Sequence, residues 1–593
     1  MGAEISGRGI PSRDSARHLV GILVGRRSLV GIVVSVPRSL ALASLLLASS
    51  LGAQVPARES QSSTQKKDEC SIAGMVVKLA SSEPLTKARV HLQSMEDRTR
   101  AISTVTNAGG RFELKGIDPG RYRLTVSRAG FVTQEYGQKK SDDPGAVLSL
   151  RPGQELKDLV FRLIPSGVIA GRILDEDGEP LPSINVTAAR EVYSEGKRAL
   201  SMGATVETND LGEYRLFGLS PGRYFVSAVY PPWSRFAGAE DSGSSETEQE
   251  GYAKMYYPGT VDIGKAISVV LRGGEEIPST DILLRKVLTH RIRGRVYNQI
   301  TGKPGAGTNV MLMPKTNRRE WDSVQHANVE KQDGSFDIPE VLLGSYVLTA
   351  LWFDEGKIYS TRMSVEVGNA DVEGLALTIA PGMNINGQII WDGKPSLEKE
   401  ELTVRARPAD SNFISRGSAR VTRGNFFMLK DVGEGRYYAE VGGETRDCYI
   451  KGVEYGGSSA LEDGFAVVRG APATLEITIS SHGARIQGTV SDADRLPAAG
   501  VWVVVVPDVG HRTQYRLYKT QTTDQYGHFD LRGIPPGDYK LFSWEEVALG
   551  AWEDPEFLNA FEEKGEKVAL QEGDQKMLNL LAIRTRSQEE AKR

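Results

Sequence analysis

The sequence predicts an all-β protein built as a tandem array of five β-sandwich modules. Three observations predict this class: 64 glycines spread along 593 residues, a glycine-centred strand pattern that occurs five times, and a glycine- and tyrosine-containing hairpin pattern that follows each copy. Scattered glycine among branched and aromatic residues indicates many short strands joined by turns. Hydrophobic residues make up 40% of the chain and charged residues 25%, as in an ordinary globular protein.

The first repeated element is an opening strand with the pattern Ile-x-Gly-x-(Val or Ile). Alternation along a strand places these three positions on one face, toward a core. A glycine on that face indicates that a neighbouring chain packs closely against it. The five copies are Ile72-Gly74-Val76, Ile169-Gly171-Ile173, Ile292-Gly294-Val296, Ile385-Gly387-Ile389 and Ile486-Gly488-Val490.

The second element is a hairpin with a buried aromatic residue on each arm. Its copies are Gly110-Phe112-Leu114-Gly120-Tyr122, Gly212-Tyr214-Leu216-Gly222-Tyr224, Gly334-Phe336-Ile338-Gly344-Tyr346, Asn425-Phe427-Leu429-Gly435-Tyr437 and Gly527-Phe529-Leu531-Gly537-Tyr539. In the fourth copy Asn425 replaces the first glycine. Asparagine tolerates a positive φ angle best after glycine, so this exchange predicts a left-handed turn residue. The repeated glycines and tyrosines are therefore interpreted as determinants of the fold.

The third element, a glycine turn and a β-rich run such as Gly153 with Leu159 and Phe161, closes each repeat. Repeats of this size with frequent turn signals are typical of β-sandwiches. The predicted modules span residues 68–164, 165–289, 290–381, 382–482 and 483–585, with an acidic insertion at 238–251 in the second module and a tail at 586–593. A short helix is predicted over Pro555 to Glu563.

The N-terminal residues 1–53 are predicted to be a signal peptide with an extended basic region, followed by a polar linker at 54–67. Its apolar core, Leu40 to Leu51, follows Arg38 and precedes the expected cleavage after Ala53, and it is too short to span a bilayer of ~30 Å. A twin-arginine signal at Arg26-Arg27 and an uncleaved membrane anchor are the alternatives. The expectation is an exported protein, periplasmic, outer-membrane-associated or extracellular, whose mature chain does not span a membrane.

These patterns resemble the carboxypeptidase regulatory-like domain over nearly all of residues 70 to 585. The resemblance rests on the opening strand, on the hairpin Gly-x-Phe-x-Leu-x-Gly-x-x-Pro-Gly-x-Tyr and on the segment Gly171 to Pro180. It implies a transthyretin-like, seven-stranded sandwich grouped with starch-binding-like folds. The segments Tyr256 to Thr260 and Trp552 to Phe557 also look like parts of large bacterial exported proteins built from such modules.

No catalytic, cofactor or metal site is expected. None of the seven histidines has the His-x-x-Glu spacing of a zinc peptidase, and a formal net charge of −4 argues against a nucleic-acid partner. The clusters Asp175-Glu176-Asp177-Gly178 and Asp492-Ala493-Asp494 are interpreted as turns in preference to calcium ligands. Cys70 and Cys448 are interpreted as two buried thiols in preference to a long-range disulfide.

Aromatic residues are the remaining ligand candidates, because sugar rings stack on exposed aromatic faces. The candidates are Trp233, Tyr256, Tyr257, Trp352 and Trp544, with Trp552 beside them, whereas Trp502 in the run Val501 to Val506 is assigned to a core. Packing remains the alternative for each, because the tryptophans do not recur at one register. The chain is therefore predicted to be a non-catalytic exported binding or structural protein whose partner is a polysaccharide or a cell-envelope protein. The alternative is an accessory or regulatory subunit of a secreted peptidase or polysaccharide-processing enzyme.

Overall fold

The five opening strands occupy the same place in the structure, in the middle of a small sheet. The computed structural model describes residues 69–141, 143–230, 249–315, 324–355, 357–394, 402–409, 417–443, 447–471 and 473–584. In every module the opening strand pairs antiparallel with the first arm of the hairpin and parallel with the closing strand. The predicted signal peptide and linker, most of the acidic insertion and the tail lie outside the described residues.

The first two modules comprise strands β1 to β18. The strands of module 1 are β1 (Cys70–Lys78), β2 (Arg89–Ser94), β3 (Ala101–Val105), β4 (Arg111–Ile117), β5 (Gly120–Ser127), β6 (Gln134–Glu135), β7 (Leu148–Leu150) and β8 (Glu155–Leu163). Those of module 2 are β9 (Gly167–Leu174), β10 (Asn185–Ser194), β11 (Lys197–Glu207), β12 (Glu213–Leu219), β13 (Gly222–Val229), β14 (Gln249–Tyr252), β15 (Met255–Tyr256), β16 (Val269–Leu271), β17 (Glu276–Ile277) and β18 (Ile282–Leu283).

The other three modules comprise strands β19 to β42. Module 3 contains β19 (Lys286–Asn298), β20 (Lys303–Pro304), β21 (Asn309–Pro314), β22 (Gln325–Asn328), β23 (Ser335–Val341), β24 (Gly344–Asp354), β25 (Lys357–Val367) and β26 (Val372–Ile379). Module 4 contains β27 (Met383–Asp392), β28 (Thr403–Pro408), β29 (Ser418–Arg420), β30 (Phe426–Val432), β31 (Gly435–Gly442), β32 (Tyr449–Tyr455), β33 (Ser458–Ser459), β34 (Phe465–Val467) and β35 (Leu475–Ser480). Module 5 contains β36 (Ala484–Ser491), β37 (Trp502–Pro507), β38 (Lys519–Thr522), β39 (His528–Ile534), β40 (Gly537–Trp544), β41 (Glu566–Leu570) and β42 (Gln575–Leu581).

Helical structure in the described ranges is short and concentrated in module 5. Helix α1 (Pro555–Asn559) is followed by a 3-10 turn, so the helix predicted over Pro555 to Glu563 is shorter than expected and ends in tighter geometry. The 3-10 turns are Ile263–Lys265, Val509–His511, Tyr515–Leu517, Ala551–Glu553 and Glu562–Lys564. Among the residues that the structure describes, no helix is long and apolar enough to cross a membrane.

The second sheet of each module contains the tyrosine arm of the hairpin and faces the first sheet. The core strands of these sheets run in the orders β3-β2-β5, β11-β10-β13, β22-β21-β24, β29-β28-β31 and β38-β37-β40. Each module buries its own apolar cluster between its two sheets, as the alternation along the strands requires. The predicted all-β, multi-module sandwich architecture is confirmed, while the proposed limits of the modules remain predictions.

The opening-strand glycines leave no room for a side chain. A Cβ atom on Gly74 would lie 2.2 Å from the Leu159 carbonyl oxygen of the closing strand, and one on Gly488 would lie 1.7 Å from that of Leu578. Gly294 and Gly387 face closing-strand carbonyl oxygens in the same way, and Gly171 faces the carbonyl oxygen of Thr280, in the segment between β17 and β18. The close approach that the sequence predicted is therefore present in all five modules.

The first hairpin position is left-handed in every module, and the asparagine exchange is explained. Asn425 has a φ of 63°, close to the 70° of Gly110. The Asn425 carbonyl accepts a hydrogen bond from the Ile389 N–H at 2.8 Å, as the Gly110 carbonyl does from Val76. The sequence prediction of a positive φ at this position is confirmed.

The hairpin tyrosines fix the turn that precedes them. Each hydroxyl donates a hydrogen bond to the backbone carbonyl four residues upstream, an arrangement known from tyrosine corners in other sandwiches. The bonds run from Tyr122 to Asp118 (2.8 Å), Tyr224 to Ser220 (2.7 Å), Tyr346 to Leu342 (2.9 Å), Tyr437 to Gly433 (3.0 Å) and Tyr539 to Pro535 (3.0 Å). Burial raises the pKa of Tyr346, Tyr437 and Tyr539 to about 12, so these hydroxyls remain protonated donors at neutral pH.

Candidate ligand-binding surfaces and junctions between modules

Two of the predicted ligand-contacting aromatic residues are enclosed by the protein. Trp544 is 0% exposed and stacks on Phe542, with ring centroids 4.9 Å apart. Tyr256 is 3% exposed and packs with Ala189 and Leu200. Neither ring presents a face to solvent, so the structure contradicts a stacking role for Trp544 and Tyr256; the enclosed Trp552 is excluded in the same way.

The other candidates are placed differently. Trp233 lies outside the described residues. Tyr257 is half-buried against the core of module 2. Trp352 is half-buried and packs against Tyr359 of the paired strand, with ring centroids 5.4 Å apart, while the next residue, Phe353, carries the exposed ring on the opposite face. The candidates therefore do not converge on one surface, and a ligand role for Tyr257 or Trp352 remains a prediction.

The tryptophans of module 5 form a second apolar layer outside its sandwich. Val503 and Val505 of β37 face the sandwich core, whereas Trp502 and Val504 face the outer cluster. Helix α1 and the 3-10 turns before and after it cover this cluster with Trp552, Leu558, Phe557 and Phe561. The assignment of Trp502 to a core is confirmed, although the core it joins is this outer layer.

A hairpin of module 2 docks into this outer layer. Tyr193, near the end of β10, packs against the cluster, and the turn residues Glu195 and Gly196 have φ angles of 51° and 65°. The Tyr515 hydroxyl donates a 2.6 Å hydrogen bond to the Glu195 carbonyl, across 320 residues of sequence. A Cβ atom on Gly196 would lie 2.6 Å from the Glu553 carbonyl oxygen, so the turn and module 5 are in close contact.

Charged groups from three modules meet at this hairpin. Arg407 of β28 in module 4 forms an ion pair with Glu195 at 3.2 Å. Burial raises the pKa of Glu553, and the Glu195 carboxylate acts in the same direction, while the backbone N–H groups of Gly196 and Glu195 oppose both. The junction therefore joins modules 2, 4 and 5.

Replacing Tyr193 by alanine is expected to weaken the docking of this hairpin by about 1–2 kcal/mol, because a half-buried aromatic ring leaves an apolar cluster. Hydrogen exchange should become faster in β10, β11 and the Ala551–Glu553 turn while the core strands of module 3 are unchanged. Phe217→Ala, which removes an exposed ring from the same module, is the matched control and should have no effect. Equal exchange in both variants would show that Tyr193 does not hold the junction.

Module 5 also contacts module 1, where one glutamine side chain forms hydrogen bonds to both backbone groups of a single residue. The Gln525 amide accepts a hydrogen bond from the Ser149 N–H (2.9 Å) and donates one to the Ser149 carbonyl (2.7 Å), across 376 residues. The Gln154 amide donates to the Tyr526 hydroxyl at 2.8 Å, and the Thr522 hydroxyl donates to the Gly145 carbonyl at 3.1 Å. The first and last modules are therefore in direct contact.

A cleft of about 460 Å³ lies beside this contact, a volume typical of small-molecule sites. Module 1 contributes a polar wall and module 5 an apolar one. Its principal lining residues are Arg123, Glu135, Gln138, Asp143, Trp502 and Leu549. No pattern in the sequence indicates this cleft, because its two walls come from distant segments.

A second groove, of about 570 Å³, lies on module 2. Arg215 in its lining pairs with Glu276 at 3.2 Å, and the Asp281 carboxylate accepts the backbone N–H of Arg172 at 2.8 Å. Tyr214 in its floor is buried and donates to the Thr280 carbonyl.

The acidic clusters are turns, as predicted. The Asp175 carboxylate accepts the N–H groups of Asp177 and Glu179, and the Asp492 carboxylate accepts those of Asp494 and Leu496, all at 2.9–3.0 Å. Within the described ranges, no group of three His, Cys, Asp or Glu side chains is arranged to hold a metal ion.

The two cysteines are buried in different modules. Cys70 lies in β1 and its thiol donates to the Arg151 carbonyl at 3.0 Å. Cys448 directly precedes β32 in module 4. The interpretation as two buried thiols is confirmed, and a disulfide between them is absent.

Comparison with known proteins agrees with this architecture, which defines a multi-module β-sandwich protein. Residues 71–163 and 168–238 match the model of the carboxypeptidase regulatory-like domain. The chain therefore carries carboxypeptidase regulatory-like domains in its first two modules.

A part of the chain is also similar to a protein described as probable rhamnogalacturonate lyase A of Neosartorya fischeri. The two are 29% identical over 105 residues, which is 18% of this chain and 20% of that protein. The match thus spans about a fifth of the relative's length.

Solved structures give weaker likenesses. The TIE protein of Bacillus anthracis is 14% identical, with 53% of this chain and 51% of that chain covered and a TM-score of 0.15. The minor pilin GBS52 of Streptococcus agalactiae is 12% identical, with 37% and 97% covered and a TM-score of 0.21. TM-scores this low show no shared overall arrangement, and nothing about function follows from them.

Proposed function

We propose that this chain is a non-catalytic, exported binding protein whose ligand is a polysaccharide of the cell envelope or its surroundings. The observation that carries the ligand class is the local similarity to a protein named for rhamnogalacturonate, a polysaccharide. A match over a fifth of that protein supports a shared module and not a shared reaction, because function resides in sites and not in folds.

The use of the repeated residues supports a non-catalytic role. The glycines and tyrosines that recur in all five modules are engaged in strand packing and in turns. Residues kept for the fold do not supply catalytic groups, so the repeat itself is a scaffold. Several linked modules favour multivalent contact with a repetitive polymer, because linkage raises the effective concentration of each further contact.

Retention on insoluble polysaccharides and purified cell envelope tests the proposal, with residues 54–593 as the exported chain. Trp233→Ala and Tyr257→Ala variants locate a site in module 2 if they lose a glycan that the parent chain retains. If both variants are still retained on that glycan, the proposal stands and the site lies elsewhere in the chain. Lack of retention on any glycan would contradict the ligand class and favour a protein partner.

Export is tested separately by cell fractionation and N-terminal sequencing of the recovered protein. The expected N-terminus is Gln54, directly after Ala53. Recovery from the cytoplasm with Met1 retained would contradict export. This result would leave the question of glycan binding open to the retention experiment.

A further inference from the structure

We propose that the outer edge of β42 in module 5 is a docking site for an extended segment of a partner protein, which adds to the sheet as an antiparallel strand. The inference concerns a protein partner, so it stands apart from the glycan proposed above. Its basis is a comparison of the closing strands of modules 1, 3, 4 and 5, one of which already carries an added strand. Extended peptides bind many proteins by adding to the edge of a sheet.

Module 4 shows what the edge of a closing strand can bind. Its closing strand β35 pairs with β27 on one side and, antiparallel, with β32 on the other. Val453 of β32 is 3% exposed and belongs to the core of the module. With β32 in place, the core-facing residues Leu475 and Ile477 of β35 are both 0% exposed. The added strand therefore completes the core of module 4.

The closing strand of module 5 lacks this cover among the residues that the structure describes. Its sheet has the order β39-β36-β42, so β42 forms the edge. Leu578 and Leu580 correspond to Leu475 and Ile477, because the first residue of each pair lies opposite the opening-strand glycine. Both leucines of β42 are only partly buried against the core. Apolar side chains of an added strand would remove this surface from water.

The closing strands of modules 1 and 3 are also edges, but each is interrupted. An extra residue shifts the register of β8 beside Asp158, which has a φ of 62°, and that of β26 beside Gly374, which has a φ of 72°. Bulges of this kind bend an edge away from a regular partner strand. In contrast, β42 pairs with β36 at seven consecutive positions without a shift, and β35 pairs with β27 at six. The edge of β42 is therefore as regular as the one that β32 extends.

The backbone of β42 presents hydrogen-bonding groups on its open side. The Asp574 carbonyl accepts the Arg485 N–H of β36 at 2.8 Å, so the even-numbered residues of β42 face β36. Backbone groups alternate in direction along a strand. The N–H and C=O groups of Gln575, Met577 and Asn579 therefore point to the open edge, where an antiparallel strand can bond to them.

The side chains on this edge favour an uncharged, apolar partner strand. Met577 is 72% exposed, and its exposed neighbours on the outer face, Gln575 and Asn579, carry no charge. Edges that avoid pairing commonly present charges instead. The open edge ends at Leu581, whose carbonyl accepts the Ser543 hydroxyl at 2.9 Å. A strand of about five residues with apolar side chains at alternate positions therefore fits this edge.

The test measures binding of a fluorescent peptide with the sequence of β32, Tyr449–Tyr455, to the exported chain. The first variant is Met577→Pro, which removes an outward N–H and leaves the ladder to β36, because an edge strand tolerates proline on its solvent side. The second is Met577→Lys, which adds a charge to the edge without changing the backbone. Ala376→Pro, at an outward position of β26 in module 3, is the matched control.

We expect the peptide to bind the parent chain and the control equally, with affinity lowered at least about tenfold by either Met577 variant. Residue-resolved hydrogen exchange gives a second readout. Without peptide, the amides of Met577 and Asn579 should exchange faster than those of Leu578 and Leu580, and the peptide should slow them. Thermal unfolding of each variant verifies that the fold is intact.

Three results would overturn the inference. The first is absence of peptide binding, or equal affinity in the parent chain and both Met577 variants. The second is slow exchange of the Met577 and Asn579 amides without peptide, because the edge would then already be covered. The third is concentration-dependent dimerisation that Met577→Pro abolishes, which would assign the edge to a second copy of this chain. None of these results bears on retention on polysaccharides, which tests the proposed function.

Discussion

Alanine at Gly488 is expected to unfold module 5. The added Cβ atom would lie 1.7 Å from the Leu578 carbonyl oxygen, which is backbone and cannot rotate away. Strand β42 would have to separate from β36, and the parallel ladder between them would be lost. A clash with backbone this close should cost more stability than overpacking of a core usually does. We therefore expect the free energy of unfolding of module 5 to fall by more than about 3 kcal/mol.

Chemical denaturation followed by tryptophan fluorescence measures this effect, because Trp502, Trp544 and Trp552 all lie in module 5. Gly368→Ala is the control: no atom lies within 4 Å of its Cβ position, and its unfolding free energy should change by no more than about 0.5 kcal/mol. If Gly488→Ala is as stable as the control, the close approach is not what requires glycine at this position.

The same residues show how much of the fold the sequence could predict. Local geometry leaves a strong signal, since a glycine beside a carbonyl or an asparagine with positive φ has few substitutes. Asn425 is the clearest case, because the exchange of one residue predicted a backbone angle that the structure has. The architecture of the five modules could therefore be predicted from the repeat alone.

The junctions could not be predicted, because nothing in a repeat pattern says which surfaces meet. Tyr193 and Trp552 are far apart in sequence, and each has the ordinary surroundings of a strand or loop aromatic residue. The sequence left open whether the modules form a rod or a flexible chain; in the structure, module 5 contacts modules 1, 2 and 4, all within the unit Ser63–Arg593. The cleft was missed for the same reason.

The error at Trp544 has a specific cause. Alternation along β40 puts Tyr539 and Leu541 toward the sandwich and Phe542 and Trp544 in the outer layer. An outward aromatic residue in a two-layer sandwich would be exposed and available to a ligand. Here a third layer of helix α1 and 3-10 turns covers it.

Replacing Trp544 by alanine should therefore destabilise module 5 and should not act as a binding-site mutation. The indole stacks on Phe542 and contacts Phe561 edge to face at 5.9 Å, so its removal leaves a large cavity. Such substitutions cost about 3–5 kcal/mol, and the junction with module 2 should loosen because Tyr193 packs on the same cluster.

The measurement is the unfolding free energy of module 5, with Phe353→Ala as the control because that ring is exposed in module 3. Trp544→Phe should recover part of the lost stability, since an aromatic ring refills the layer. A stable Trp544→Ala variant that had lost glycan retention would instead return Trp544 to the ligand surface. The expected result is that Trp544→Ala loses both stability and glycan retention, and that Trp544→Phe recovers both together. Trp544 would then hold the modules together and affect any ligand only through the fold.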